Sequence, residues 1–357
     1  MSARAGRRWT WLVAIPLAGL AGLLYAPSAG DPAPWTPPVS PGTSGAYAAN
    51  HALSSVQRIA IGGAHGPEDV AFGPDGALYT GVSDGRLLRV RTGGTVETFA
   101  TTGGRPLGLR FGPDGRLFVA DAQRGLLAVS PEGHIDVLAT EHAGRRFGLT
   151  DDLDVAADGT VYFTDASSRL GLGRSIQDVV EQRPTGRLLT YRSGEGARLL
   201  QDGLYFANGV ALAPDQGYVL VVETARYRLQ RCWLRGARAG ACEVFADNLP
   251  GFPDGVSSDG RGTFWVALVS PRNALLDRLH PYPVLKTALL RLPDAVRPAP
   301  QPYGFVLGLD EQGRVVHNLQ DPTGSSYAFV TNVVEHAGSL YLGSLELDAV
   351  GRLPRPR

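Results

Sequence analysis

From Val56 onward the chain alternates apolar and polar positions in short runs, and Asp, Pro and Gly break those runs at regular intervals. Alternation with a period of two is the signature of a half-buried strand. The first unit reads Gly66-Pro-Glu-Asp-Val-Ala-Phe-Gly-Pro-Asp-Gly-Ala-Leu-Tyr79, and Arg105-Pro-Leu-Gly-Leu-Arg-Phe-Gly-Pro-Asp-Gly-Arg-Leu-Phe118 echoes it. Four more follow, over Thr150 to Tyr162, Ala207 to Val219, Pro253 to Trp265 and Val330 to Tyr341. Each predicts a strand, a turn rich in Asp, Pro and Gly, and a second apolar strand. Asp75-Gly76, Asp114-Gly115 and Asp158-Gly159 are strong hairpin signals, because a tight turn between strands needs positive φ. Further β segments follow each unit, such as Gly85 to Val90 and Gly125 to Val129. About four strands in each of six repeats predict an all-β, six-bladed β-propeller.

The segment Val56 to Ile61 reads as one more strand ahead of the first unit. Its expected place is in the last blade, where it joins the two chain ends and removes exposed sheet edges. Two insertions interrupt the rhythm. The first runs over 171–184. The second runs over 272–293, contains Leu275, Leu276, Leu279, Leu285, Leu289 and Leu290 and shows the one convincing helical pattern, so a helix there is expected either to roof one face of the ring or to pack on its rim.

The first 50 residues stand outside this pattern. Arg4, Arg7 and Arg8 precede an apolar stretch from Trp9 to Ala26, which as a helix would rise about 27 Å, close to a bilayer core. It reads as an N-terminal transmembrane anchor helix (residues 1–26), with a cleaved signal as the alternative. The basic flank then keeps the N-terminus in the cytoplasm and sends the propeller out, to a periplasm or extracellular space. Residues 27–50 are rich in Pro and read as a stiff, extended linker, leaving 51–357 to the propeller. Cys232 and Cys242 flank a Gly-rich turn, where a hairpin would set them opposite one another. A disulfide suits an oxidising space, and two buried free thiols are the alternative. The formal net charge is zero, which gives no electrostatic reason to expect nucleic acid.

The repeats also align side chains. With Tyr79, Phe118, Tyr162, Val219, Trp265 and Tyr341 as a ruler, the residues eleven positions earlier are Glu68, Leu107, Asp151, Asn208, Asp254 and Val330. Equivalent positions of the innermost strands converge on the channel of a propeller. Three carboxylates and one amide at its mouth call for a cation, because burying like charges together is costly. An oxygen-only set suits a hard divalent ion, Ca²⁺ first and Mg²⁺ or Mn²⁺ after it. The competing reading, that such residues only cap turns, is the one assigned to Asp75, Asp114, Asp158, Asp215 and Asp259. Leu107 and Val330 would leave an apolar gap beside the ion.

Gly66-Pro-Glu-Asp-Val-Ala-Phe, Asp152-Leu-Asp-Val, Tyr162-Phe-Thr-Asp165, Ala207-Asn-Gly-Val-Ala-Leu, Leu249-Pro-Gly-Phe-Pro-Asp-Gly255, Glu335-His336 and Leu340-Tyr-Leu-Gly-Ser344 resemble, in order, the strictosidine synthase-like propellers. Gluconolactonases and paraoxonases are wider relatives. The resemblance spans roughly Val56 to Leu353, and the anchor matches a type II topology found in that family. It implies that Glu68, Asn208 and Asp254 are metal ligands, with Asp151 standing where the family usually has Asn. The position of strictosidine synthase's catalytic Glu is Thr331 here, which argues against alkaloid condensation. No His stands near Arg105-Pro106 or Asp121-Ala122, where paraoxonases carry catalytic histidines, and His336 reads as structural.

These readings predict a metal-dependent hydrolase of a small lactone or aryl ester, with Asp254 as general base by family analogy. The alternative is a non-catalytic, ligand-binding or scaffold propeller whose metal braces the channel. Either way the partner is a small molecule, and the membrane is met through the N-terminal helix only.

Overall fold

The computed structural model describes residues 30–356 except 294 and 296. The anchor or signal expected over 1–26 lies outside the described residues. Among the described residues no helix is long and apolar enough to cross a membrane.

Six antiparallel four-stranded sheets form the blades. Their innermost strands are Val70–Phe72, Pro106–Phe111, Thr150–Val155, Ala207–Leu212, Gly251–Ser258 and Val330–His336. Each pairs with a second strand through the hairpin that its turn foretold, and Gly76, Gly115 and Gly159 take the positive φ those turns require. All five turn aspartates receive the amide of the residue two positions on, as turn caps do. The strand Gln57–Ala60 pairs antiparallel with Ala349–Pro354 and completes the sixth blade, so the ring is closed by its first and last strands, as expected.

Burial follows the alternation. A blade presents one face to each neighbour, and the hydrophobic core divides into layers between adjacent blades. Leu87 and Tyr79 of the first blade meet Leu109 and Leu127 of the second. Leu220 and Leu229 of the fourth meet Val266 and Phe305 of the fifth. At the closing seam Val350 and Tyr341 pack with Val70, Leu78 and Leu88.

Both insertions build a roof over one end of the channel. The second forms two short helices, Ala274–Leu279 and Pro283–Arg291, separated at the His280-Pro281-Tyr282 bend. The first forms the helix Ser175–Glu181, where the sequence pattern points only to an insertion. The proline-rich segment is extended, as expected, but it does not stand away from the propeller. From Gly30 to Asn50 it runs over the roof and down the side as a strap. The Ala33 amide donates to the Glu181 carbonyl (2.8 Å) and the Trp35 amide to that of His280 (3.1 Å). Lys286, the one lysine of the chain, donates from Nζ to the Ala33 carbonyl at 2.6 Å. Gln320 Nε2 donates to the Tyr47 carbonyl lower down, at 3.0 Å.

Cys232 and Cys242 face each other across a strand pair and are joined by a disulfide, with Cα atoms 4.1 Å apart. His336 stacks on Phe72 with ring centroids 3.7 Å apart, in keeping with a structural role.

Candidate metal centre and its cavity

Beneath the roof lies a cavity of about 540 Å³. Glu68, Asp151, Asn208 and Asp254 all line it, so the ring position read from the repeats does converge. Each is buried, at 7, 4, 4 and 7% exposure respectively. Leu107, from the same position of the second blade, forms part of the wall.

The sixth blade departs from the sequence reading. In five blades the residue three places after the ring position pairs with the second strand at Ala71–Tyr79, Arg110–Phe118, Asp154–Tyr162, Ala211–Leu220 and Ser257–Trp265. In the sixth the corresponding pair is Val334–Tyr341, which puts Thr331 at the ring position instead of Val330. The cause is the hairpin, which is one residue shorter: Val334 and Tyr341 are seven positions apart, against eight for Ala71–Tyr79, Arg110–Phe118, Asp154–Tyr162 and Ser257–Trp265, whereas the bulge between Val330 and Val333 recurs in blades two to five. Val330 is fully buried in the core between blades five and six, and the apolar wall expected from it is supplied by Phe329. In the fourth blade the ruler residue is Leu220 rather than Val219, although Asn208 was assigned correctly.

The geometry around the ring is tightly supported. Thr331 Oγ1 donates to the Glu68 carbonyl at 2.7 Å, holding the first blade against the sixth. A Cβ on Gly343 would fall 1.8 Å from that same carbonyl oxygen, so only glycine allows this approach. Asn208 Nδ2 donates to Asp254 Oδ1. One residue along the strands, Asp69 accepts the Val70 and Leu109 amides at 2.7 and 2.8 Å. Asp152 likewise accepts those of Leu153 and Val210 at 2.8 and 2.9 Å. These two carboxylates lace neighbouring blades together, a role whose only trace in the sequence was the acidic pairs Glu68-Asp69 and Asp151-Asp152.

Electrostatics set the ring apart. Burial pushes the Glu68 carboxyl well above its usual range, and repulsion from Asp151, Asp254 and Asp69 adds to this, opposed by Arg105. Asp151 is raised by burial and then by Asp254, Asp152 and Asp165. Burial raises Asp254 to about 7, against the lowering hydrogen bond from Asn208. Arg105, itself buried, donates to the Gly66 carbonyl at 2.9 Å and is the counter-charge nearest in effect to Glu68. The sequence marked that position only by its missing histidine.

Three desolvated carboxylates that repel one another, plus an amide oxygen, are a donor set suited to a hard divalent cation. Among the described residues no three His, Cys, Asp or Glu side chains are already drawn into ligating distance. The rest of the wall is largely apolar and includes Leu149, Phe206, Phe252, Val269 and Phe329. Helix residues Ile176, Val180, Leu276 and Leu289 close it from above, so the roof is a lid on the cavity, not a rim ornament.

A six-bladed ring with an acidic, apolar-walled cavity at one mouth defines the class. Two family models match the chain: "Strictosidine synthase-like, N-terminal" over residues 45–90 and "Strictosidine synthase" over 151–237. Adipocyte plasma membrane-associated protein of Bos taurus is 35% identical, over 95% of this chain and 87% of its own. Protein STRICTOSIDINE SYNTHASE-LIKE 10 of Arabidopsis thaliana is 36% identical, over 83% and 87% respectively. The chain belongs to the strictosidine synthase-like family. Among solved structures it is similar in fold to a gluconolactonase from Xanthomonas campestris, with a TM-score of 0.62 and 20% identity over 93% of this chain and 99% of that one. It is also similar to regucalcin, a calcium-binding protein from Agrobacterium tumefaciens, with a TM-score of 0.59 and 16% identity over 84% and 93%.

Proposed function

We propose that this protein is a divalent-cation-dependent hydrolase of a lactone or aryl ester whose remaining bulk is apolar. One observation carries the reading: three buried carboxylates and Asn208 share a cavity whose other walls are mostly hydrocarbon. A sugar lactone would leave its hydroxyls unpaired against Leu107, Leu149 and Phe329, whereas an aromatic or alkyl group would be desolvated there favourably. Glu68, Asp151, Asn208 and Asp254 would hold the ion, and Ca²⁺ best suits four oxygen donors with positions to spare. When bound, such an ion supplies a Lewis acid for the ester carbonyl.

The chain's own residues supply the rest. Asp254 takes a proton from water, and its raised pKa in the absence of the ion marks it as a carboxylate whose protonation is easily shifted. Asn208 fixes its orientation through the Nδ2 bond. The roof helices exclude bulk water, and the apolar wall sets the acyl or aryl group. Thr331 brings no carboxylate to the ring, so an acid–base step like that of strictosidine synthase has no group here.

A second reading is a binding propeller braced by its ion. It is favoured by the Asn208–Asp254 bond, which occupies one oxygen of the proposed base. A panel of sugar lactones, alkyl lactones and aryl esters, assayed with and without chelator, separates the two. Chelator-sensitive turnover of the apolar members is expected; loss of thermal stability on chelation with no turnover of any member would leave the binding reading.

The expected anchor over 1–26 and the Cys232–Cys242 disulfide together support a location outside the cytoplasm, tethered to a membrane. The name of the Bos taurus relative, plasma membrane-associated, agrees with that.

A further inference from the structure

Exposed large apolar side chains have an uneven distribution. Val137, Leu199, Val244 and Val316 sit singly on the outermost strands of four different blades. Leu172, Ile176, Leu275, Tyr282, Val284 and Leu285 all belong to the two roof insertions, and Leu345 stands at the cavity wall beside them. Leu172 and Ile176 are 45 and 59% exposed and line the cavity as well, so its hydrocarbon wall continues onto the outer surface. The helices of the two insertions adjoin one another, and an exposed apolar cluster of this kind marks an interaction surface.

The geometry points to a phospholipid bilayer as the occupant: the roof face seats on the membrane, with its apolar side chains at the acyl boundary and the cavity mouth opening toward lipid. The course of the chain favours lipid over a protein partner. At Gly30 the backbone lies against the roof, where an added Cβ would come within 2.9 Å of Glu181 Oε1 and 3.5 Å of Leu290 Cδ1. The apolar run ends at Ala26, and only Pro27, Ser28 and Ala29 intervene. Four extended residue steps reach roughly 14 Å. Once that run enters a bilayer, the roof is therefore confined to the membrane surface, and its apolar residues are the ones presented. Tyr282 among the aliphatics and the exposed Arg174 and Arg278 beside them suit an interface, where amphipathic rings and long basic side chains reach the headgroups. The docking is independent of any catalysis.

The test uses the full chain in phosphatidylcholine vesicles. Ile176→Cys and, separately, Leu285→Cys carry an environment-sensitive dye, with Val137→Cys as the comparison on an outer strand. Cys232 and Cys242 are bonded and the sequence has no other cysteine, so labelling is specific. The roof dyes are expected to shift to the blue and to be quenched several-fold more by doxyl-labelled lipid than the dye at 137. Equal lipid quenching at all three sites overturns the proposal. So does shielding of the roof dyes from aqueous iodide without lipid quenching, which would mean that another protein copy covers the patch.

Discussion

Asp254, Glu68 and Asp151 face one another with little but Arg105 to offset them, and this makes their protonation a stability variable. Asp254 titrates near 7 in the folded protein against 3.8 for the ordinary group, and Glu68 and Asp151 are raised as well. Between those limits the folded state holds protons that the unfolded chain has released. Stability of the chelated protein is thus fully present below about pH 4 and falls as pH rises through about 7. On the proposed reading Ca²⁺ would bind the ionised forms, so adding it should raise the melting temperature most at and above pH 7, which calorimetry with and without chelator can check. Asp254→Asn removes one of the repelling charges. It should raise the melting temperature of the chelated protein at pH 8, weaken calcium binding and lower turnover by about 10²-fold or more, as loss of a general base does. Turnover equal to wild type would show that Asp254 is not the base. All four candidate ligands were legible in the sequence because inner strands repeat in phase. Thr331 was not, because the hairpin of the sixth blade is one residue shorter between its paired strands, and a ruler laid on sequence alone assumes hairpins of equal length.

At the scale of elements, the roof was half legible. The leucines of 272–293 announced one helix, which the structure divides in two at His280-Pro281, while the helix Ser175–Glu181 had no counterpart in the sequence reading although Leu172, Ile176, Val179 and Val180 keep helical spacing. Gly171 and Gly173 lie directly before it and read as loop. The strap was legible as extended chain but not as docked chain, since its anchors lie far away in sequence, such as Lys286 for Ala33 and Arg272 for Pro38. The disulfide hairpin is another separable element, at the outer edge of the fourth blade. It closes a short loop, so its removal by Cys232→Ser with Cys242→Ser should cost about 2–3 kcal/mol in a denaturant titration. Calcium affinity should not change, because Asn208 lies on the innermost strand of that blade and the disulfide joins its two outermost strands.

The whole molecule is a ring, and a ring transmits damage differently from an open edge. The sixth blade is made from both ends of the chain, and the same blade supports Glu68 through Thr331 and the close approach of Gly343. Stability at the seam and alignment of Glu68, the first candidate ligand, therefore share one set of contacts. Gly351 tests the link. It lies on the closing strand, opposite Arg58 on one side and Leu342 on the other. A Cβ there would meet Leu342, Tyr327 and Val56 side-chain atoms, each at 3.0 Å, and the first two of these residues are fully buried. Gly351→Val must push at least one of them aside, so overpacking should cost about 1–3 kcal/mol. That is comparable to loss of the disulfide, but the consequence at the site should differ. The seam variant should bind calcium more weakly at a temperature where it is still folded, because its sixth blade shifts against Glu68. Isothermal titration of both variants, compared at matched stability, decides the point. If both lose stability and neither loses affinity, Glu68 is aligned by its own blade and the closure serves the fold alone.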